Sequence, residues 1–379
     1  MTIICYEFSS AGHRSALDRF SARLKNTPYK DWPLRHHWNG LPGDDGADFP
    51  VRRRRLLSLD AAGEVRALQN HFEHELYVDG KPHSFVWPNG SLSESVVDPR
   101  FAPYGVMLLK HALRLEPLQM ALGFLPLDAA PGSLFRRLGW SHTQVPVFIL
   151  PIRLSRVLRE LRPFRYEAVR LAARIVSGVK VPDMAWSAFT AKRLRMAGQN
   201  VQEVPDIGDW ADPVWNHCRD AYKVLTRRDA ATMNRLYSPH DKRLTRLRVR
   251  RNDGDVGWAI VCDHRMHGDS LYGSLHVGCV VDALGMPEHA PDLLRAAVNH
   301  LIQCGVDLVV SHWSHAAFQQ AARSLGFARR HTSLKLFVSK AGKDLLLTEK
   351  TQLEACHFSV GDCDGPVAYL PEGDEGEER

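Results

Sequence analysis

The alternation of apolar and polar positions divides the chain into two series of short elements that repeat one outline. In the first series, residues 1–7 read as a strand and 16–24 as an amphipathic helix. Residues 52–59 and 63–69 read as strands around the Asp60-Ala61-Ala62-Gly63 turn, and 75–78 and 83–87 as hairpin arms around Asp79-Gly80. A strand over 92–97 stops at Asp98-Pro99. A helix over 106–115, a strand over 120–125, a short helix over 131–138 that Gly139 ends, and a strand over 145–150 complete the series. Apolar spacings at Leu154, Val157, Leu158 and Leu161, then at Val169, Ala172, Ala173 and Val176, predict two linking helices broken at Pro163. In the second series, helices are expected over 215–225 and 229–236, and strands over 247–251 and 258–263 around Asn252-Asp253-Gly254. A strand over 274–281, helix 293–303, strand 306–312, helix 316–325 and strand 333–339 follow.

The repetition is visible in the residues themselves. Gly90-Ser91-Leu92, Val96-Val97-Asp98 and Leu138-Gly139-Trp140 return as Gly273-Ser274-Leu275, Val280-Val281-Asp282 and Leu325-Gly326-Phe327. The offsets are 282 − 98 = 184 and 326 − 139 = 187. A period this long means paired domains rather than a solenoid. The expected organisation is an N-terminal domain over 1–150, a basic helical linker over 151–200, a C-terminal domain over 201–345 and an acidic tail over 346–379. The order of elements is that of an α/β (α+β) protein with two tandem mixed-sheet domains.

Composition narrows the class. A hydrophobic content of 44% and a charged content of 24% in 379 residues suit a globular protein with two cores. No run of about 18 apolar residues predicts a membrane span, and the first residues lack the pattern of a signal peptide. Seven scattered cysteines without a Cys-x-x-Cys argue against a disulfide framework or a metal site, so a cytoplasmic protein without metal is expected. The net charge of +6 is uneven: residues 151–200 carry eleven Lys/Arg against Glu160, Glu167 and Asp183, and 361–379 carry seven acids against Arg379. These runs read either as solvated surface or as a basic face for a nucleotide cofactor, RNA or an anionic membrane surface.

The distinctive element is a strand, an Asp-Pro turn, a glycine-bearing loop and a helix. Free backbone N–H groups and the helix dipole make such a loop an anion site. Val97-Asp98-Pro99-Arg100-Phe101, Gly105, the apolar helix and Leu138-Gly139-Trp140 resemble the central motifs of the GNAT acyltransferases, and Val281-Asp282 with Leu325-Gly326-Phe327 resembles them again. The resemblance spans 52–150 and 215–339. It implies acyl-CoA (acetyl-CoA) as co-substrate, with Val97, Arg100, Tyr104, Gly105 and Val106 at its pyrophosphate and a pantetheine arm in a gap between strands 92–97 and 120–125. It also implies a carboxylate base on the strand before the loop, where Glu94 is the only acid; the plain alternative is an outward-facing glutamate. Ala102 stands where the family has Arg or Gln, Pro103 has no N–H to give, Met107 replaces a small residue, and Phe135 occupies the family's tyrosine position. The second loop, 283–291, carries Leu284-Gly285-Met286-Pro287 and an acidic residue and no Lys or Arg, which makes the first module the expected active one.

Three residues complete the candidate set. Arg228 and Tyr237, in a stretch that resembles the substrate-side helices of two-module GNAT-like proteins, are read as a carboxylate or phosphate clamp or as an exposed helix face. His312, in Ser311-His312-Trp313-Ser314-His315 at a strand end, is read as a substrate-side group, with His315 as a base or part of a metal site, or as a packed histidine. The implied function is acyl-CoA-dependent N-acyl transfer to an amine, an amino sugar or cell-envelope precursor by resemblance to double-module bacterial proteins. One alternative is a Fem-type ligase using aminoacyl-tRNA, with residues 151–200 meeting the tRNA. Another is a catalytically inert scaffold. Expected partners are a small-molecule amine or sugar, with peripheral membrane contact through 151–200; the acceptor, acyl group and oligomeric state stay open.

Overall fold

A computed structural model describes residues 2–7, 14–27, 51–123, 130–161, 192–195, 199–252, 254–330, 334–346 and 352–362. The chain forms two compact units, Met1–Gln144 with Lys223–Arg227 and Ser333–Leu353, and Val145–Tyr222 with Arg228–Thr332 and Glu354–Arg379.

In the first unit, β1 (Thr2–Glu7), β2 (Arg52–Leu59), β3 (Val65–Val78) and β4 (Lys81–Ser93) pair in antiparallel succession. Asp79 and Gly80 both take positive φ, 48° and 73°, as a tight two-residue hairpin between β3 and β4 requires. The sequence broke β3 into two strands because its centre buries polar side chains, Gln69, Asn70 and His71, against the usual alternation. α1 (Arg14–Arg23) and the turn after it place Leu17, Phe20 and Leu24 against Leu57, Leu68 and Leu92 on one face. α2 (Ala102–Leu115) places Leu108 and Ala112 against Leu56 and Ala67 on the other. A smaller sheet runs β5 (Met120–Gly123), β15 (Lys335–Val338), β6 (Ser141–Gln144), and α3 (Ala130–Arg137) packs Phe135 beside Trp140 and Phe337. β9 (Val224–Thr226) extends the larger sheet beyond β3.

The second unit is one sheet in the order β14 (Ala328–Arg330), β7 (Val147–Pro151), β13 (Leu308–His312), β12 (His276–Gly285), β11 (Gly254–Arg265), β10 (Thr245–Arg251), β8 (Gln199–Val204). Among the described residues of this sheet only β12 and β13 pair in parallel, joined by α7 (Ala290–Gln303); α8 (Ala316–Leu325) follows β13 and ends at Gly326 with φ 97°. α5 (Ala211–Cys218) and α6 (Ala230–Leu236) lie between β8 and β10 in sequence.

Each unit completes its sheet with a strand from the other half of the chain. β7 follows β6 in sequence but sits between β13 and β14, and β15 follows β14 but sits between β5 and β6. The compact units therefore do not break at residues 150 and 345, and β8, which crosses the expected end of the linker at residue 200, is the edge strand of the second sheet. The repeat also has a different register from the one expected. A 3₁₀ turn precedes α2 at Pro99–Phe101 and α7 at Pro287–His289, and Pro103 matches Pro291, an offset of 287 − 99 = 188. Asp98 thus corresponds to Met286. Asp282 lies inside β12, which runs on to Gly285, whereas β4 ends at Ser93.

Of the linker, α4 (Leu154–Glu160) is described, and Arg153 and Arg156 reach the buried Asp307 at 3.3 and 3.2 Å. The second expected linker helix and most of the basic run lie outside the described residues. Among the described residues no helix is long and apolar enough to cross a membrane.

Candidate functional site

In the first unit β4 and β5 meet at one isolated parallel bridge, Val86↔Gln119, where Val86 N–H donates to Leu118 C=O at 3.0 Å. Three residues further along β4 the ladder with β3 slips. Leu68 faces Leu92 and Asn70 faces Asn89, so Gln69 opposes both Gly90 and Ser91. Gly90 has φ 59°, and a Cβ there would sit 3.0 Å from Asn70 Nδ2, so the turn of the bulge calls for glycine.

Buried polar groups gather around this bulge. Arg55 Nε donates to Asn70 Oδ1 at 2.8 Å. Asn89 Nδ2 and both amide atoms of Gln69 are buried without a hydrogen-bond partner among the described residues. A buried polar atom left unpaired costs about 1–3 kcal/mol, so the bulge holds donors and acceptors suited to an incoming polar ligand. On the same face as Gln69, burial, then the charges of Arg54 and His111, pull His71 down to about 4, so it is neutral at ordinary pH. The sequence reading missed Asn89 and Gln69; the available signal was a run of carboxamides in otherwise apolar strands.

Glu94 does not lie on a strand. β4 ends at Ser93, and Glu94–Val96 is a 3₁₀ turn capped by the Ser93 hydroxyl. Its buried carboxylate takes Arg66 Nη1 at 2.8 and 2.9 Å and Arg23 Nε at 3.0 Å. Arg66 also grips Asp60 at 2.7 Å and lies 4.2 Å over the Phe101 ring, while Arg23 pairs with Glu64 at 2.9 Å. A carboxylate whose oxygens are taken up by two guanidiniums is a structural anchor for the segments that carry them. This cluster ties α1, β3 and the start of the α2 loop together.

Of the expected cofactor residues, Val97 and Arg100 lie in the loop and Tyr104, Gly105 and Val106 in the first turns of α2, and the loop is closed on itself. Arg100 N–H donates to Asp98 Oδ1 at 3.0 Å, Phe101 N–H to Asp98 C=O at 3.0 Å and Ala102 N–H to Pro99 C=O, while Pro103 has none to give. The Arg100 side chain, 85% exposed, folds back on Asp98 at 2.6 Å. Val97 is exposed, and Tyr104 packs against the Leu56–Leu108 cluster. Gly105 matters for contact: a Cβ there would lie 3.0 Å from Ser93 Cβ, so glycine lets α2 approach the end of β4 closely. Val106 is half-buried in the first turns of α2.

The second unit has the same bulge with a different filling. Ile260 faces Asp282 and Val261 faces Val280, leaving Val281 as the extra residue, just where parallel pairing with β13 stops at Val280↔Ser311. Here every charge is matched. Arg228 Nε binds Asp282 Oδ2 at 2.9 Å and Arg228 Nη2 binds Asp362 Oδ2 at 2.7 Å, both pairs buried. Burial pulls the Arg228 pKa down and the two carboxylates more than reverse it; burial outweighs the guanidinium at Asp282 and holds that carboxyl above its ordinary range. Tyr237 is buried beside them, its phenol pushed up by burial and then by Asp282. Arg228 and Tyr237 thus lie together in an internal ion network. His312 is buried in β13 opposite Val147, and burial pulls it down to about 4. Among the described residues no group of three or more His, Cys, Asp or Glu could hold a metal ion.

No protein-family model and no curated protein matches the sequence. Solved structures do match in shape. A GCN5-related N-acetyltransferase from Anabaena variabilis aligns over 89% of this chain and 72% of its own, with TM-score 0.52 at 11% identity. Saccharomyces cerevisiae N-myristoyltransferase with bound myristoyl-CoA aligns over 89% and 78%, with TM-score 0.53 at 11% identity. A probable N-acyltransferase from Enterococcus faecalis aligns over 89% and 72%, with TM-score 0.50 at 9% identity. At such identities the likeness is one of fold, and the chain carries the GNAT-like α/β fold.

Proposed function

We propose that this protein is an N-acyltransferase that takes an acyl-CoA in its first unit, along β4 beside the bulge at Asn89–Ser91, and passes the acyl group to an amine. The observation that carries this reading is the contrast between the two bulges. The first has a single-bridge junction to β5 and unpaired buried amides at Gln69 and Asn89, and the second holds a paired ion network of Arg228 with Asp282 and Asp362. A pantetheine arm carries two amide groups, which suit the unpaired edge of a strand in the way an added strand does. Asn89 Nδ2 is a donor for the thioester carbonyl, whose oxygen gains charge as the amine attacks. Ala102, Pro103 and the Asp98–Arg100 pair give the pyrophosphate few main-chain donors, so its binding falls to exposed basic side chains and is weak and salt-sensitive. The nature of the neighbouring folds, all N-acyltransferases by name, supports the reaction class.

A second reading is a catalytically inert binding protein, favoured by the self-capped loop 98–103. One experiment separates the two. Acyl-CoA thioesters of different chain length are added at millimolar concentration during thermal melting. Binding to the folded state raises the melting temperature by mass action, and thiol release in the presence of amines then reports transfer. If no thioester raises the melting temperature, the N-acyltransferase reading fails; a rise without thiol release for any amine supports the inert reading.

A further inference from the structure

The gap between β12 and β13 in the second unit is filled by the chain's own C-terminal segment. Beyond Val280↔Ser311 the two strands no longer pair with each other, and Cys356–Asp362 lies against both. Gly361 N–H donates to C=O of Val281, the bulge residue of β12, at 2.8 Å. On the other side, Ser314 N–H donates to Phe358 C=O at 3.1 Å, Phe358 N–H donates to Ser314 Oγ at 2.7 Å, and Trp313 and Ser359 form an antiparallel bridge. One short stretch, strand-like at 356–359 and turned at 360–362, therefore bonds to β12 and to the continuation of β13 together.

Side chains lock it in place. Ser359 Oγ donates to Asp282 Oδ1 at 2.8 Å, Asp362 takes Arg228, and His357 Nε2 meets Ala283 C=O at 2.9 Å. His357, Phe358 and Ser359 are fully buried. The fit is specific to glycine at 361, where a Cβ would collide with Tyr237 Oη and lie 3.2 Å from Asp282 Cβ. The site thus selects a peptide that turns at Gly361 and follows it with a carboxylate that neutralises Arg228.

We propose that residues 356–362 are a built-in peptide ligand of the second unit, held where an acyl-CoA would enter, so that each chain takes one thioester, in the first unit. The stoichiometry rests on the acyl-CoA reading above; the ligand role does not. The segment uses the bulge carbonyl and the Arg228 charge, the two features that a thioester's amide and phosphate groups would otherwise engage.

The test is hydrogen exchange on the full chain, with and without coenzyme A, alongside a calorimetric titration of coenzyme A. Peptides covering 354–362 are expected to exchange at least about a thousandfold more slowly than the free peptide, as core segments do, and coenzyme A should leave them unchanged while binding once per chain. Gly361→Val should remove protection from 354–362 and 276–285 and leave peptides covering 52–93 protected. If that variant does not fold, Asp362→Asn, which keeps size and removes one charge, should raise exchange at 354–362 tenfold or more. Free-peptide exchange of 354–362 in the unmodified chain overturns the proposal, as does binding of two coenzyme A molecules or faster exchange of 354–362 when coenzyme A binds. Protection of the segment with no coenzyme A binding anywhere sinks the acyl-CoA reading and leaves the ligand role standing.

Discussion

Replacing Glu94 by glutamine separates a structural carboxylate from a general base. Glutamine keeps the volume and one acceptor oxygen but removes the charge that Arg66 and Arg23 share at 2.8–3.0 Å. Deleting one member of a fully buried ion pair costs about 3–5 kcal/mol. Here Arg66 keeps Asp60 and Arg23 keeps Glu64, and both arginines retain some solvent contact, so a cost of about 1–2 kcal/mol follows by the same principle. For a unit of this size that is a drop of about 2–8 °C in melting temperature. The assay is differential scanning calorimetry together with thiol release, using the thioester and amine that give the fastest reaction. The expected outcome is a lower melting temperature with kcat within about threefold of the unmodified protein. A fall in kcat of about a hundredfold or more, the scale of general-base catalysis, at unchanged melting temperature would refute the assignment.

Three further perturbations test other parts of the structure. Arg228→Met leaves two buried carboxylates, Asp282 and Asp362, without their cation; chemical denaturation should show a loss of about 3–5 kcal/mol, and a loss under about 1 kcal/mol contradicts the network described. His312 has its pKa pulled from 6.5 to about 4 by burial; the folded state then binds fewer protons than the unfolded state between those values. Its contribution to stability is present above about pH 6.5 and is lost as pH falls towards 4, by about 3 kcal/mol at 1.36 kcal/mol per unit. His312→Gln should flatten the dependence of folding free energy on pH in that window, and an unchanged slope refutes the reasoning. Asn89→Ala should reduce kcat/KM for the thioester about tenfold or more, the cost of one hydrogen bond to a developing charge, and a variant with unchanged kcat/KM removes Asn89 from the site.

Much of the architecture was legible because it depends on periodicity and turn chemistry. The Asp79-Gly80 hairpin, the helix over 106–115, Gly139 and Gly326 as helix stops and the duplicated order of elements all follow from local residue patterns. The failures share one cause: long-range pairing overrides local preference. Nothing in residues 147–151 or 335–338 announces that each joins the other half's sheet, since any short apolar strand fits either edge. The polar centre of β3 hid a long strand, because Gln69, Asn70 and His71 read as a loop until their burial is known. Glu94 looked like a strand acid because Val96-Val97 prolonged the apolar pattern past Ser93, where Ser93 caps a 3₁₀ turn. Arg228 lies in a buried network beside Tyr237, and its partner Asp362 lay in a stretch whose acidity reads as solvated tail.

The most direct test of the central claim is where coenzyme A protects the backbone. Hydrogen exchange with saturating coenzyme A or a non-hydrolysable acyl-CoA should slow amides in Val86–Ser93 and Gln119–Gly123 and leave His276–Gly285 as it is without ligand. Protection confined to His276–Gly285, or no saturable protection anywhere, would contradict placement of the thioester in the first unit.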